Sequence, residues 1–157
     1  MGKIESNNRE LLSLINEWEQ KLLSLSENVI SERRNRQNRT IRQILGHMVD
    51  SATNNTHRIV QMQYRESPLQ YHNYATNGNN ERWIAIQNYQ SEDWKTLVQV
   101  WKFTNLHIVH VINNADASKL QNKWHYSESR LISLEEGILD YLRHFKLHLQ
   151  EIDELLY

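Results

Sequence analysis

Two histidines near the carboxyl end of the chain, His144 and His148, stand four positions apart in the segment YLRHFKLHLQEIDELLY. Residues at this spacing lie one turn apart on the same face of an α-helix, with Cβ atoms about 6 Å from each other. Neutral imidazole is a good ligand for Zn, Ni, Cu and Fe, so such a helix offers two metal ligands from one rigid element. A pair of histidines hydrogen-bonded to water and backbone is the alternative interpretation.

A third imidazole, that of His47, belongs to the segment ILGHMVDS. On a helical projection it lies about a quarter turn from the centre of its own helix's apolar stripe. His144 and His148 lie beside the apolar stripe of the last helix in the same way, so three imidazoles from two helices can converge. The remaining histidines fall on polar helix faces or in connections, and we assign them no ligand role: His57, His72, His107, His110 and His125.

The elements that position these side chains are helices, because the 157 residues include only four glycines and one proline and the apolar residues recur at three and four. The first of four amphipathic segments runs from about Asn7 to Glu27. The second opens at Thr40, the third after Ser91 and the fourth at Ser133; TIRQ and SLEE are capping boxes. We predict an all-α four-helix bundle forming one domain over residues 1–157, with a long crossover, residues 68–90, between helices two and three.

Composition restricts the chemistry. The chain has no cysteine, which excludes disulfides and thiolate ligands, so any metal needs His, Asp or Glu. Eighteen Lys and Arg nearly balance 19 Asp and Glu, which gives no charge bias toward nucleic acid or membrane. With no signal sequence or membrane-spanning segment recognisable, we expect a cytoplasmic protein that acts on a small-molecule substrate.

Several short motifs, in order, resemble the DinB-like (DinB/YfiT) superfamily of four-helix-bundle metalloenzymes over essentially the whole chain. They are LGHMVDS early in helix two, the long crossover, SEDWKTLV at the start of helix three, and YLRHFKLHLQEI in helix four. The resemblance implies a divalent metal, Zn or Ni, held by His47, His144 and His148. It also implies a low-molecular-weight thiol as co-substrate, since members include bacillithiol- or mycothiol-using S-transferases and a thiol-dependent maleylpyruvate isomerase.

The resemblance leaves the reaction open. A thiol S-transferase is the first hypothesis, a metal-dependent hydrolase the second, and a binding module with a structural or absent metal the third. Asp50, one turn after His47, is the nearest candidate for a general base; a hydrogen bond to a ligand histidine and purely local hydrogen bonds are its other possible roles. Tyr141 can donate to substrate or simply pack in the core.

Three further features carry weaker hypotheses. An arginine cluster at residues 33–42 is interpreted as a solvated loop or as a site for an anionic cofactor. Trp83 and Trp124, in or near connections, are candidates for a pocket wall. Helix three also has a second apolar line, Val100, Phe103 and Leu106, for which a bundle has no use, and we therefore predict a homodimer.

Overall fold

Four long helices dominate the computed structural model of the protein, which describes residues 2–157. In chain order the elements are α1 (Gly2–Leu23), α2 (Glu27–Glu32), α3 (Ile41–Tyr64), α4 (Asn79–Gln87), α5 (Trp94–Asn113), the strands β1 (Lys123–Ser127) and β2 (Arg130–Ser133), and α6 (Leu134–Glu154). The helices α1, α3, α5 and α6 have 22, 24, 20 and 21 residues. The predicted four-helix bundle is confirmed.

The four long helices enclose one hydrophobic core. Helix α3 packs against α5 and α6, and α1 packs against the same two helices, so α1 and α3 lie diagonally across the bundle. The predicted apolar stripes face inward, because a 3.6-residue period collects their side chains on one side of each helix. Fully buried side chains come from each of the four helices, among them Ile15, Leu45, Trp101 and Ile152.

Both predicted capping boxes are present and fix where α3 and α6, the helices that carry His47, His144 and His148, begin. The Thr40 hydroxyl accepts a hydrogen bond from the Gln43 backbone N–H at the start of α3, and Ser133 accepts one from Glu136 at the start of α6. In each case the third helical side chain reaches back to the backbone N–H of the capping residue. The caps satisfy backbone donors that a helix start otherwise leaves unpaired.

The connections contain more regular structure than the sequence indicates. Helix α1 begins at Gly2, earlier than the predicted Asn7, and ends at Leu23 instead of Glu27; the following residues form the separate helix α2. The long crossover contains α4 and a 3₁₀ turn at Tyr89–Ser91. These elements are only three to nine residues long, and such short helices depend on tertiary packing, which periodicity does not reveal.

A β-hairpin, also not predicted, precedes α6. Strands β1 and β2 pair antiparallel with Trp124 opposite Ile132, and an irregularity follows His125. The backbone of Leu69 adds two hydrogen bonds, donating to the Lys123 carbonyl at 2.8 Å and accepting from the His125 N–H at 3.2 Å. An isolated two-stranded hairpin is marginal in water, so this one depends on its contacts with the helical body.

The arginine cluster at residues 33–42 is interpreted from the sequence as a solvated loop, and the structure supports this for only part of it. Arg39 and Arg42 are buried, and they pair with Glu81 and Glu27 respectively. These two guanidiniums connect the start of α3 to α4 and α2, so they have a structural role.

Two members of the second apolar line of α5, Val100 and Phe103, face outward as predicted, whereas Leu106 is partly buried against the core. Phe103 is 60% exposed and Val100 37%. No helix of residues 2–157 combines the length and hydropathy needed to cross a membrane.

Candidate metal centre

Helices α3 and α6 bring the three predicted histidines together. His47 and His148 are buried and His144 is half-buried. The capping boxes set the start of each helix, and the four-residue spacing then aims His144 and His148 across the interface at His47. In the described part of the chain, this is the cluster of potential ligands that could hold a metal ion, with all ligand atoms within 4.8 Å of one another.

The Nε2 atoms of the three rings converge. His148 Nε2 lies 3.1 Å from His47 Nε2 and 3.0 Å from His144 Nε2. The rings are nearly perpendicular, with interplanar angles of 80° and 85° between His148 and its two neighbours. Nitrogens bound at about 2.0 to 2.1 Å around one tetrahedral Zn ion would be separated by a little more than 3 Å, which is close to these distances.

The Nδ1 atoms point outward to other partners. His47 Nδ1 lies 2.8 Å from the Tyr74 hydroxyl, and His148 Nδ1 lies 2.9 Å from Glu151 Oε2. His144 Nδ1 has a longer contact, 3.4 Å, with Ser51 Oγ. Such outer partners fix the tautomer and orientation of imidazole ligands in metal sites.

These contacts indicate which ring nitrogen carries the proton. Glu151 is an acceptor, so the proton of His148 is on Nδ1; the Tyr74 hydroxyl donates to Asp50, so its oxygen is free to accept from His47 Nδ1–H. The Nε2 lone pairs then face one another, and within residues 2–157 their hydrogen-bond contacts are with each other alone. A cation would neutralise that repulsion, so the donor set fits a divalent metal.

Burial keeps two of these rings neutral. Desolvation, followed by the neighbouring imidazoles, lowers the pKa of His47 to about 2. Desolvation, followed by the neighbouring imidazole of His148, lowers the pKa of His144 to about 4, while Asp140 acts in the opposite direction. Both values lie below the usual 6.5, so at pH 7 protons do not compete for these nitrogens.

Asp50 stands behind Tyr74 at the centre of a buried network. Its carboxylate accepts hydrogen bonds from Tyr74 at 3.2 Å, Tyr89 at 2.6 Å and Gln87 at 2.7 Å. Burial raises the pKa of Asp50, while the three donors act in the opposite direction. The carboxylate contacts no ligand histidine directly and does not line the adjacent cavity, so it reaches His47 through the Tyr74 hydroxyl.

A glycine on α3 makes room for this network. A Cβ atom at Gly46 would overlap the ring of Tyr89, whose hydroxyl donates to Asp50. The absence of a side chain here allows the crossover to pack directly against α3. The contact with Tyr89 therefore explains why a glycine is needed at position 46, one residue before His47.

Glu151 supports the site from the other side. Burial acts to raise the pKa of its carboxyl, but the interactions with His148, Arg39 and Asn35 together outweigh burial and the pKa is lowered. The guanidinium of Arg39 adds to the lowering. An ionised Glu151 is the acceptor that holds His148 with Nδ1–H outward.

A cavity of about 130 Å³ opens beside His47 and His144 between α3, α6 and the hairpin. Trp124 lines it, as the sequence indicated, whereas Trp83 contacts Tyr74 instead. Tyr141 also borders the cavity, but its hydroxyl donates to the buried Asn105 at 2.7 Å. Because the Tyr141 hydroxyl is already committed to Asn105, core packing is favoured over donation to a substrate.

Sequence reasoning brought together the three histidines but missed much of their surroundings. The contact of Glu151 with His148 could have been found in the sequence, since the two residues are three positions apart on the same helix. The contact of Tyr74 with His47 could not, because residues 65–78 form no helix or strand whose geometry would place the side chain. The five other histidines do not join the cluster.

The protein is similar to two solved structures. YfiT from Bacillus subtilis, described as a probable metal-dependent hydrolase with an unusual four-helix bundle topology, superimposes with a TM-score of 0.83 at 16% identity, over 97% of this chain and 85% of YfiT. A point mutant of the mycothiol-dependent maleylpyruvate isomerase superimposes with a TM-score of 0.71 at 12% identity, over 95% of this chain and 60% of the isomerase. No family model and no curated protein matches the sequence.

At these identities the likeness concerns the fold. The chain shares the four-helix-bundle fold of YfiT, so the fold implied by the resemblance in LGHMVDS, SEDWKTLV and YLRHFKLHLQEI is confirmed.

Proposed function

We propose that the protein binds one divalent cation, Zn or Ni, through Nε2 of His47, His144 and His148 and works as a metal-dependent enzyme. The observation that carries the proposal is the convergence of the three Nε2 atoms at 3.0 and 3.1 Å while the Nδ1 atoms are engaged outward. When bound, the cation supplies Lewis acidity, which lowers the pKa of a coordinated nucleophile. Three protein ligands leave further coordination positions open, as in catalytic sites.

For the reaction, we infer transfer of a low-molecular-weight thiol to an electrophilic small molecule. The acidic group that lines the cavity, Asp140, is already paired with Arg143, and Asp50 lies behind Tyr74. A cavity without an uncommitted carboxylate suits a nucleophile that needs no protein base. The chain contributes no cysteine, so the thiol comes from outside. The structurally similar maleylpyruvate isomerase depends on mycothiol, which is consistent with this hypothesis.

The residues of the chain have distinct roles in this proposal. Tyr74 and Glu151 orient His47 and His148, and Asp50 positions Tyr74, so Asp50 is a positioning residue instead of the general base first considered. Burial keeps the imidazoles unprotonated at neutral pH. Trp124 and Ile132 give the cavity an apolar wall against which the substrate can pack.

Hydrolysis is the second candidate, favoured by the description of YfiT as a metal-dependent hydrolase. The two reactions separate by assay of protein loaded with Zn or Ni. Thiol consumption in the presence of an alkyl halide or epoxide, dependent on His148, supports the transferase. Turnover of esters or amides without thiol supports the hydrolase. Metal binding with neither activity supports a binding module with a structural metal.

A further inference from the structure

Two arginines, Arg143 and Arg58, line the cavity, and of these only Arg143 has a carboxylate partner within residues 2–157. Arg58 lies on α3, eleven residues or about 16 Å along the axis from His47, on the same side as Ser51 and Asn55. Helical side chains tilt toward the amino terminus, which directs the guanidinium back along the cavity. A hydrogen bond from its Nη2 to Asn55 Oδ1 reflects this direction.

The guanidinium is half-buried and held in place. Its Cζ lies 3.9 Å from the centroid of the Trp124 ring, a cation–π contact. Trp124 is itself buried, and its Nε1–H donates to the Tyr71 carbonyl at 3.2 Å. Burial lowers the pKa of Arg58 to about 10, so it remains charged at neutral pH.

No carboxylate of residues 2–157 forms an ion pair with Arg58. The acidic residue on the cavity wall, Asp140, accepts two hydrogen bonds from Arg143, at 2.5 and 3.2 Å. The hydrogen bond to Asn55 occupies one of the five N–H groups of Arg58. A half-buried cation without a direct ion pair is costly, although the charge of Asp140 acts on Arg58 from a distance, and an anionic ligand would offset that cost.

We propose that the cavity is a carboxylate subsite: the acid group of a small monoanionic ligand binds Arg58, and the ligand's apolar body lies against Trp124 and Ile132, toward the histidines. This inference rests on the proposed function, because it names the substrate class of the same site. It predicts that the electrophile or the thiol co-substrate carries a carboxylate on the side away from the reacting atom.

Size and charge favour a carboxylate over a phosphate. A volume of about 130 Å³ is well below the 300 to 1,000 Å³ or so of usual ligand pockets, so the ligand is small. Once Arg143 and Asp140 offset each other, one cation is left, which matches a monoanion. A phosphate dianion would place a second negative charge near Asp140.

Benzoate is a suitable probe, with benzamide as its neutral counterpart and inorganic phosphate as the alternative anion. Titration calorimetry on the metal-free full chain should show benzoate binding at least about tenfold more tightly than either. Arg58→Gln should weaken benzoate binding by about tenfold or more, and Arg58→Lys by less. Arg65→Gln, an exposed arginine that follows α3 and does not line the cavity, is the matched control and should change binding by less than about twofold.

Equal binding of benzoate and benzamide, or tighter binding of phosphate, would overturn the subsite. An unchanged benzoate affinity in folded Arg58→Gln would do the same. If Arg58→Gln does not fold, the benzoate and benzamide comparison on the native chain decides the matter.

Metal content separates this inference from the metal proposal. Arg58→Gln should retain the native zinc content. His148→Ala, whose side chain does not line the cavity, should lose zinc yet bind benzoate as the metal-free native chain does. Native protein that binds benzoate through Arg58 but takes up no Zn or Ni would contradict the metal site and leave the carboxylate subsite standing.

Discussion

His47 and Asp50 are joined through one hydroxyl group, that of Tyr74, which lies 2.8 Å from His47 Nδ1 and 3.2 Å from Asp50 Oδ2. The two ends of this link lie on α3, whereas the connecting group comes from the crossover. The orientation of a ligand histidine therefore depends on how a segment without regular secondary structure packs. The same dependence underlies the first two predictions.

Tyr74→Phe should weaken zinc binding about 10- to 100-fold while leaving the fold intact, because it removes the acceptor for His47 Nδ1–H but keeps the ring. Competition with a chromophoric chelator measures the affinity. Tyr89→Phe is the matched control, since its hydroxyl donates to Asp50 without touching His47. An equal loss in both variants would argue for general loosening of the network instead of a specific link.

Asp50→Asn should lower zinc affinity but preserve most of kcat at saturating metal, because the carboxylate acts through Tyr74 and does not line the cavity. Steady-state assays over a range of zinc concentrations distinguish the two effects. A general base would behave differently: zinc affinity would stay near the native value and kcat would fall by about 10²-fold or more.

The metal-free protein should lose stability as the pH falls below about 6.5. The folded-state pKa values of His47 and His144, about 2 and about 4, lie under the unfolded value, so below pH 6.5 the unfolded chain binds protons that the native chain does not. Stability present above pH 6.5 is then lost on acidification, by up to about 1.4 kcal/mol per pH unit for each histidine.

Urea unfolding at pH 7.5, 6 and 5 tests this pH dependence. Burial raises the pKa of Asp50, so the native chain binds a proton at this residue before the unfolded chain does as the pH falls. This contribution increases stability on acidification and opposes that of the histidines. The comparison with His144→Gln removes one histidine contribution and should flatten the slope. An identical slope in that variant would show that His144 titrates as it does in the unfolded chain.

The homodimer remains a prediction, and we propose that a second copy covers the outward apolar line of α5. Phe103→Glu should convert a dimer to a monomer in analytical ultracentrifugation, because it places a charge in the buried centre of the interface. Ile86→Glu is a control of similar character on α4, at a side chain that is 82% exposed. A native monomer, or a dimer unaffected by Phe103→Glu, would rule out this interface.

The long helices and the histidine cluster were predictable for a physical reason: a 3.6-residue period and two capping boxes fix both the buried face and the starting residue of a helix. Ile44, Leu142 and the helix faces of His47, His144 and His148 follow from these two facts, whereas the role of the histidines as metal ligands was implied by the family resemblance. Periodicity says nothing, however, about segments that gain order only by packing on the bundle. The hairpin that carries Trp124 and the crossover that carries Tyr74 belong to this class.

The role of Asp50 shows the same limit at a single residue. Its position on α3 correctly indicated a buried side chain near His47, because both follow from helical geometry. Its partners, Tyr74, Gln87 and Tyr89, all come from the crossover region. Helical geometry alone could therefore not distinguish a general base from a residue that positions another.

Elemental analysis of the native chain, purified without a histidine tag and compared with His47→Ala, tests the central claim most directly. About one Zn or Ni per chain in the native protein, lost in a variant that remains folded, is the predicted result. Native protein without metal, even after incubation with Zn and with Ni, would contradict the metal site and the enzymatic proposal built on it.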